Sequence, residues 1–113
     1  MPHPVVHFEI GCQDKAATAA FYRRVFGWAI DSGPMGLIDT GASAGIAGHI
    51  ASLGHEPHQF THFYIATEDV EASLKEIEAA GGKVVVPPVS IPAGTFAWFA
   101  DVEGNTVGLW KAT

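Results

Sequence analysis

One stretch of this chain occurs twice, and that duplication constrains the fold more than any other feature. The first copy reads His7-Phe8-Glu9-Ile10, then a turn, Asp14, and a helical pattern running out in Val25-Phe26-Gly27-Trp28. The second reads His62-Phe63-Tyr64-Ile65, then a turn, Asp69, and a helical pattern running out in Ala80-Gly81-Gly82. A shift by the 55 positions that separate His7 from His62 superimposes them without a gap. Phe8 meets Phe63, Ile10 meets Ile65, Asp14 meets Asp69, Ala17 meets Ala72 and Gly27 meets Gly82. Self-similarity at a fixed offset signals a repeated supersecondary unit.

Within each copy the period of the apolar residues changes. Val6, Phe8 and Ile10 alternate with Val5, His7 and Glu9, which reads as a strand with two different faces. After Asp14, a good N-cap, Ala17, Ala20, Phe21 and Val25 fall at helical spacing, with Arg23 and Arg24 near the end where cations suit the dipole. Gly27 suits the position just past a helix. Short strands follow at Trp28 to Asp31, Met35 to Asp39 and Gly45 to Ile50. A polar segment, 52–59, then links to the second copy. There the strand Phe60 to Ala66 has His62 and Tyr64 on one face and Phe63 and Ile65 on the other. Val70, Leu74 and Ile77 form the helix stripe. Strands follow at Val84 to Val86 (stopped by Pro87-Pro88), Thr95 to Ala100 and Thr106 to Trp110. The order is βαβββ, twice.

This pattern predicts an α+β fold in which duplicated βαβββ modules form a curved mixed sheet around a cleft. Its 113 residues make a single domain, with module one over about 4–51, the linker over about 52–59 and module two over about 60–111. The apolar strand faces (Phe8, Ile10; Phe63, Ile65) belong under the helices, so the opposite face holds His7, Glu9, His62 and Tyr64. Concave sites with a few convergent polar groups bind small molecules. Trp98 and Trp110 are further candidates for lining such a site, with core packing as the competing role.

Charge and composition narrow the function. A net charge of −6 with only six Lys and Arg argues against nucleic acid as a partner. No apolar run approaches the roughly 20 residues of a membrane span, and Met1-Pro2-His3-Pro4 does not begin a secretory leader. The lone Cys12 excludes an internal disulfide and fits a reducing compartment, so a cytoplasmic setting is expected.

Two motifs point beyond the strand pattern. Asp14 with Phe21-Tyr22-x-x-Val25-Phe26-Gly27-Trp28, and Asp101-x-Glu103-Gly104-Asn105-x-x-Gly108-Leu109-Trp110, resemble the vicinal oxygen chelate superfamily over the whole chain. That superfamily includes glyoxalase I, extradiol dioxygenases, and fosfomycin- and bleomycin-resistance proteins. The resemblance implies a ligand-binding protein or a metal-dependent lyase, isomerase or dioxygenase, and a homodimer. Metal-dependent members use His or Gln on the first strand of each copy, positions that match His7 and His62. They also use Glu on the last strand of each copy, and here those positions align with Gly48 and Gly108. His49, next to that position, is expected to face the other way.

The first reading is therefore a glyoxalase/bleomycin-resistance-like protein that binds a small organic molecule between its modules, through His7, Glu9, His62, Tyr64, Trp98 and Trp110, without the full family metal site or any other cofactor. The second is a divalent-metal enzyme (Zn, Ni, Mn or Fe) with His7 and His62 as ligands and Glu9 as ligand or general base. A remote third follows from Leu37-Ile38-Asp39-Thr40-Gly41-Ala42-Ser43, which is similar to the active-site turn of retroviral-type aspartic proteases. Two amphipathic helices and a duplication weigh against it.

Overall fold

Residues 2–113 are described by a computed structural model of the chain. Its elements are β1 (Val5–Gly11), α1 (Lys15–Phe26), β2 (Ala29–Ile30), β3 (Leu37–Asp39), β4 (Ala47–Ala51), β5 (Phe60–Ala66), α2 (Val70–Ala79), β6 (Lys83–Ile91), β7 (Gly94–Ala100) and β8 (Thr106–Ala112). This is βαβββ twice, an α+β fold whose strands pair both parallel and antiparallel. The chain divides into two compact units. One is His7–His62; the other is Phe63–Thr113 together with the N-terminal residues up to Val6. Among the described residues no helix is long and apolar enough to cross a membrane.

The two helices start alike because the same device starts them. Asp14 Oδ1 accepts from the Ala17 amide at 3.0 Å, and Asp69 Oδ1 accepts from the Ala72 amide at 3.0 Å. Each carboxylate satisfies a backbone donor that the first helical turn leaves without a partner. Gly27, at φ 72°, closes α1 in the left-handed region and donates to the Arg23 carbonyl.

In the His7–His62 unit the strand order is β2-β3-β4-β1, with β1 and β4 parallel and the other pairs antiparallel. The register sets Ile10 beside Ile50, Phe8 beside Gly48 and Ile38 beside Gly48. These residues share one face, and Ala19 of α1 packs onto it with Ile30, Ile38, Ile50 and Cys12. Ile50 and Ile38 are 1% and 2% exposed. The face away from α1 carries His7, Glu9 and His49.

In the second unit the order is β5-β8-β7-β6, with β5 and β8 parallel. Val70 and Leu74 of α2 cover Ala97, Phe99, Val107 and Leu109. Ile65 joins this core as expected, but Phe63 is 41% exposed, because α2 covers the Ile65 end of β5 and not the Phe63 end. The strand at Val84 does not stop at Pro87-Pro88; β6 continues to Ile91. It can do so because β6 is last in the strand order and its register with β7 shifts between Val84 and Val86 and between Val86 and Val89. An edge strand with an irregular ladder tolerates prolines, which lack the amide donor.

Truncating Ile50 to Ala removes a fully buried side chain, and should lower unfolding free energy by about 2–5 kcal/mol in denaturant titrations. Asp14→Ala and Asp69→Ala should each cost about 1 kcal/mol in the same measurement, since each removes an equivalent cap.

Candidate functional site

The parallel register of β1 and β4 builds the polar cluster. It places Glu9 directly beside His49, on the face that α1 leaves uncovered. His49 Nε2 lies 3.3 Å from Glu9 Oε2. His62, in the part of β5 that belongs to the same unit, brings Nε2 to 2.6 Å from Glu9 Oε1. His7 Nε2 lies 2.7 Å from His49 Nδ1, with the two rings tilted by 30°. Phe60 meets His62 edge-on, with ring centroids 5.5 Å apart.

The partners constrain the protons. A carboxylate at Glu9 accepts only, so His62 donates to it from Nε2–H, while His49 Nε2 faces its other oxygen at ion-pair distance. His7 Nε2 and His49 Nδ1 share one proton across their 2.7 Å contact, and the ring tautomers set which of them donates. The result is a run of contacts from His7 through His49 and Glu9 to His62. Glu9 and His62 are buried, at 3% and 8% exposed, while His7 and His49 are half-buried. Burial, followed by the neighbouring His49, lowers the His7 pKa from 6.5 to about 4; Glu9 pulls it the other way and His62 lowers it further. His7 is thus neutral at physiological pH.

His49 faces the cluster, contrary to the expectation that it points away. The alignment of Gly48 with Gly108 is corrected by the same register. Gly48 pairs with Phe8, whereas Gly108 pairs with Tyr64. In the 55-residue offset Tyr64 corresponds to Glu9, and the partner of Glu9 is His49. The true counterpart of Gly108 is therefore His49. A side chain at position 48 would run into Phe8, on the α1 side of the strand.

The second unit is built differently on its helix-free face. Trp98 Nε1 donates to Tyr64 Oη at 2.9 Å. Tyr64 is 6% exposed, and its ring fills the space that any side chain at Gly108 would need. Trp98 pairs with Gly108, and Phe96 with Trp110, so these residues alternate onto the Tyr64 face while Ala97, Val107 and Leu109 turn to α2. The structure thus gathers His7, Glu9 and His62, with the additional His49, in one unit. It places Tyr64, Trp98 and Trp110 on the aromatic face of the other.

The donor chemistry of three imidazoles and a carboxylate suits a divalent metal, but their placement does not. Two nitrogens bound at about 2.05 Å to one tetrahedral centre lie about 3.3 Å apart. His7 Nε2 and His49 Nδ1 are at 2.7 Å, a hydrogen-bond distance. Both oxygens of Glu9 are taken up by imidazoles. Among the described residues no group of three or more His, Cys, Asp or Glu is placed to hold a metal ion. The Asp39-Thr40-Gly41 turn has a local explanation, because Asp39 Oδ1 accepts from the Gly41 amide at 2.8 Å at the end of β3. Two helices in an α+β fold leave the aspartic-protease reading without its all-strand framework.

The His7 ring should titrate near pH 4 by NMR. Its folded value lies below its ordinary one, so protonation favours the unfolded chain. His7 therefore costs nothing above about pH 6.5, and its penalty grows as pH falls towards 4 and then levels off. In a His7→Phe variant that segment of the acid stability profile should flatten.

Comparison with known proteins bears on the whole domain. The model for the family described as "Glyoxalase/Bleomycin resistance protein/Dioxygenase superfamily" matches residues 5–109. The anthracycline biosynthesis protein DnrV of Streptomyces peucetius is 32% identical, over 92% of this chain and 45% of its own length. The putative glyoxylase CFP32 of Mycobacterium bovis is 31% identical, over 88% of this chain and 42% of its own. The chain thus spans less than half the length of these relatives. A superfamily member from Vibrio splendidus has the same fold, with a TM-score of 0.64 at 15% identity, over 99% of this chain and 100% of that one. The chain belongs to the glyoxalase/bleomycin resistance protein/dioxygenase superfamily.

Proposed function

We propose that the helix-free face of the His7–His62 unit binds a small organic molecule rich in hydroxyl or carbonyl oxygens. The observation that carries this reading is the run of polar contacts His7–His49–Glu9–His62, hydrogen-bonded at both ends and at ion-pair distance in the middle. Its two half-buried members, His7 and His49, are the ones a ligand reaches; Glu9 and His62 stand behind them. Glu9 acts as a positioning residue. Its carboxylate holds the Nε2–H of His62 and faces His49 Nε2, and so biases the pattern of donors and acceptors that the ligand meets. Neutral His7 suits an uncharged oxygen better than a carboxylate. The relationship to proteins named for anthracycline biosynthesis makes a hydroxylated polycyclic aromatic the first class of ligand to try. A homodimer and a cytoplasmic setting belong to the same proposal. The superfamily relationship is the ground for the homodimer, and the single cysteine supports a reducing compartment.

A metal-dependent lyase, isomerase or dioxygenase is the second reading. The observation in its favour is His49, which adds a third imidazole to His7 and His62. Coordination would require the His7–His49 hydrogen bond to open.

Calorimetric titration with 1,8-dihydroxyanthraquinone, a probe with adjacent carbonyl and hydroxyl oxygens, tests the first reading. Saturable binding should weaken about tenfold in His49→Phe or His7→Phe, the loss of one good hydrogen bond. Binding unchanged in both variants, or no saturable binding, would refute it. Titration of the metal-stripped protein with Zn²⁺, Ni²⁺, Mn²⁺ and Fe²⁺ separates the second. Stoichiometric uptake that His7→Ala/His62→Ala abolishes would favour the enzyme.

A further inference from the structure

A cavity of about 350 Å³ opens on the other side of the His7–His62 unit, between α1 and the turn that joins β2 to β3. It shares no residue with the histidine cluster. Its floor is apolar: Ala19, Ile30 and Ile50 are each less than 9% exposed. Its polar lining comes chiefly from α1. Lys15 Nζ donates to the Pro34 carbonyl at 2.8 Å, and Arg23 Nη2 donates to the Ile30 carbonyl at 2.6 Å. Each contact uses one N–H of a group that has several: three on an ammonium, five on a guanidinium. The two cations are eight residues apart, about 12 Å along the helix axis, with the apolar floor between them.

The charge around this cavity runs against that of the chain. The protein carries −6, yet α1 holds three of its six Lys and Arg and no carboxylate. The acidic group on the rim is Asp31, whose Oδ1 accepts from the Gly33 amide at 2.9 Å. The volume falls within the range of small-ligand sites, which are mostly apolar with a few placed polar groups. Cations with spare donors beside an apolar floor select a ligand with an acid at one end and a hydrocarbon body.

We propose that this cavity binds a small organic acid, with its apolar body on Ala19, Ile30 and Ile50 and its carboxylate held by Lys15 or Arg23. Binding here is independent of the ligand proposed for the histidine face.

The test is an NMR titration of the whole chain with hexanoate and benzoate, beside hexanol and benzyl alcohol as uncharged bodies of the same shape. The acids should bind saturably, shift the amides of Ala19, Ile30 and Gly33, and bind at least tenfold more tightly than the alcohols. Lys15→Gln/Arg23→Gln should remove most of that preference, while Asp31→Asn should sharpen it. His49→Phe should leave it unchanged, which separates this site from the histidine face. Equal binding of acid and alcohol, shifts that map elsewhere, or no saturation would overturn the proposal. The comparison of acid with alcohol uses the unaltered protein, so the result stands even if a variant fails to fold.

Discussion

A carboxylate that is 3% exposed is the constraint on which the site depends. Removing an ionised group from water costs several kcal/mol unless charge-assisted hydrogen bonds replace the lost solvent. Glu9 meets that requirement through an N–H from His62 of β5 on one oxygen and the His49 imidazole of β4 at 3.3 Å from the other. His49 arrives there only because β4 runs parallel to β1 with Glu9 beside it. A slip of one residue would set His49 against the α1 face and leave the carboxylate half-satisfied. The apolar side of the same strands sets the same register, since Ile10 beside Ile50 and Phe8 beside Gly48 are what α1 can cover. Core and site therefore specify one register by independent physics.

The duplication was legible in the sequence because it left local marks in matching places. Asp14 and Asp69 cap the helices, and alternation on β1 and β5 separates the His7 and His62 face from Ile10 and Ile65. What the sequence could not show was non-local. The orientation of His49 depends on which residue of β1 it pairs with, and glycines around a short strand leave its alternation unreadable. Comparing the last strands of the two copies by their glycines put Gly48 opposite Gly108 and was wrong by one position. The offset of the first strands, combined with strand pairing, gives the right answer. Likewise Pro87 and Pro88 read as a stop because an edge position is a property of the whole sheet, not of the dipeptide.

The two halves share a backbone plan and differ in what occupies it. Where one half sets a carboxylate beside an imidazole, Glu9 with His49, the other sets a phenol over bare backbone, Tyr64 with Gly108. One face is consequently a network of protons and lone pairs; the other is aromatic, with a hydrogen bond from Trp98 to Tyr64. The family match covers both halves of this shared plan.

The fit of Tyr64 over Gly108 has a consequence for the history of the domain. The ring and the missing side chain fill one volume, so neither position can change alone. An acidic residue arising at position 108 would collide with the phenol, and a smaller residue at 64 would leave a void above the glycine. A carboxylate on β8 can be reached by single substitutions only through one of these two impaired intermediates. The pair works as a ratchet, holding this half of the molecule to its aromatic character.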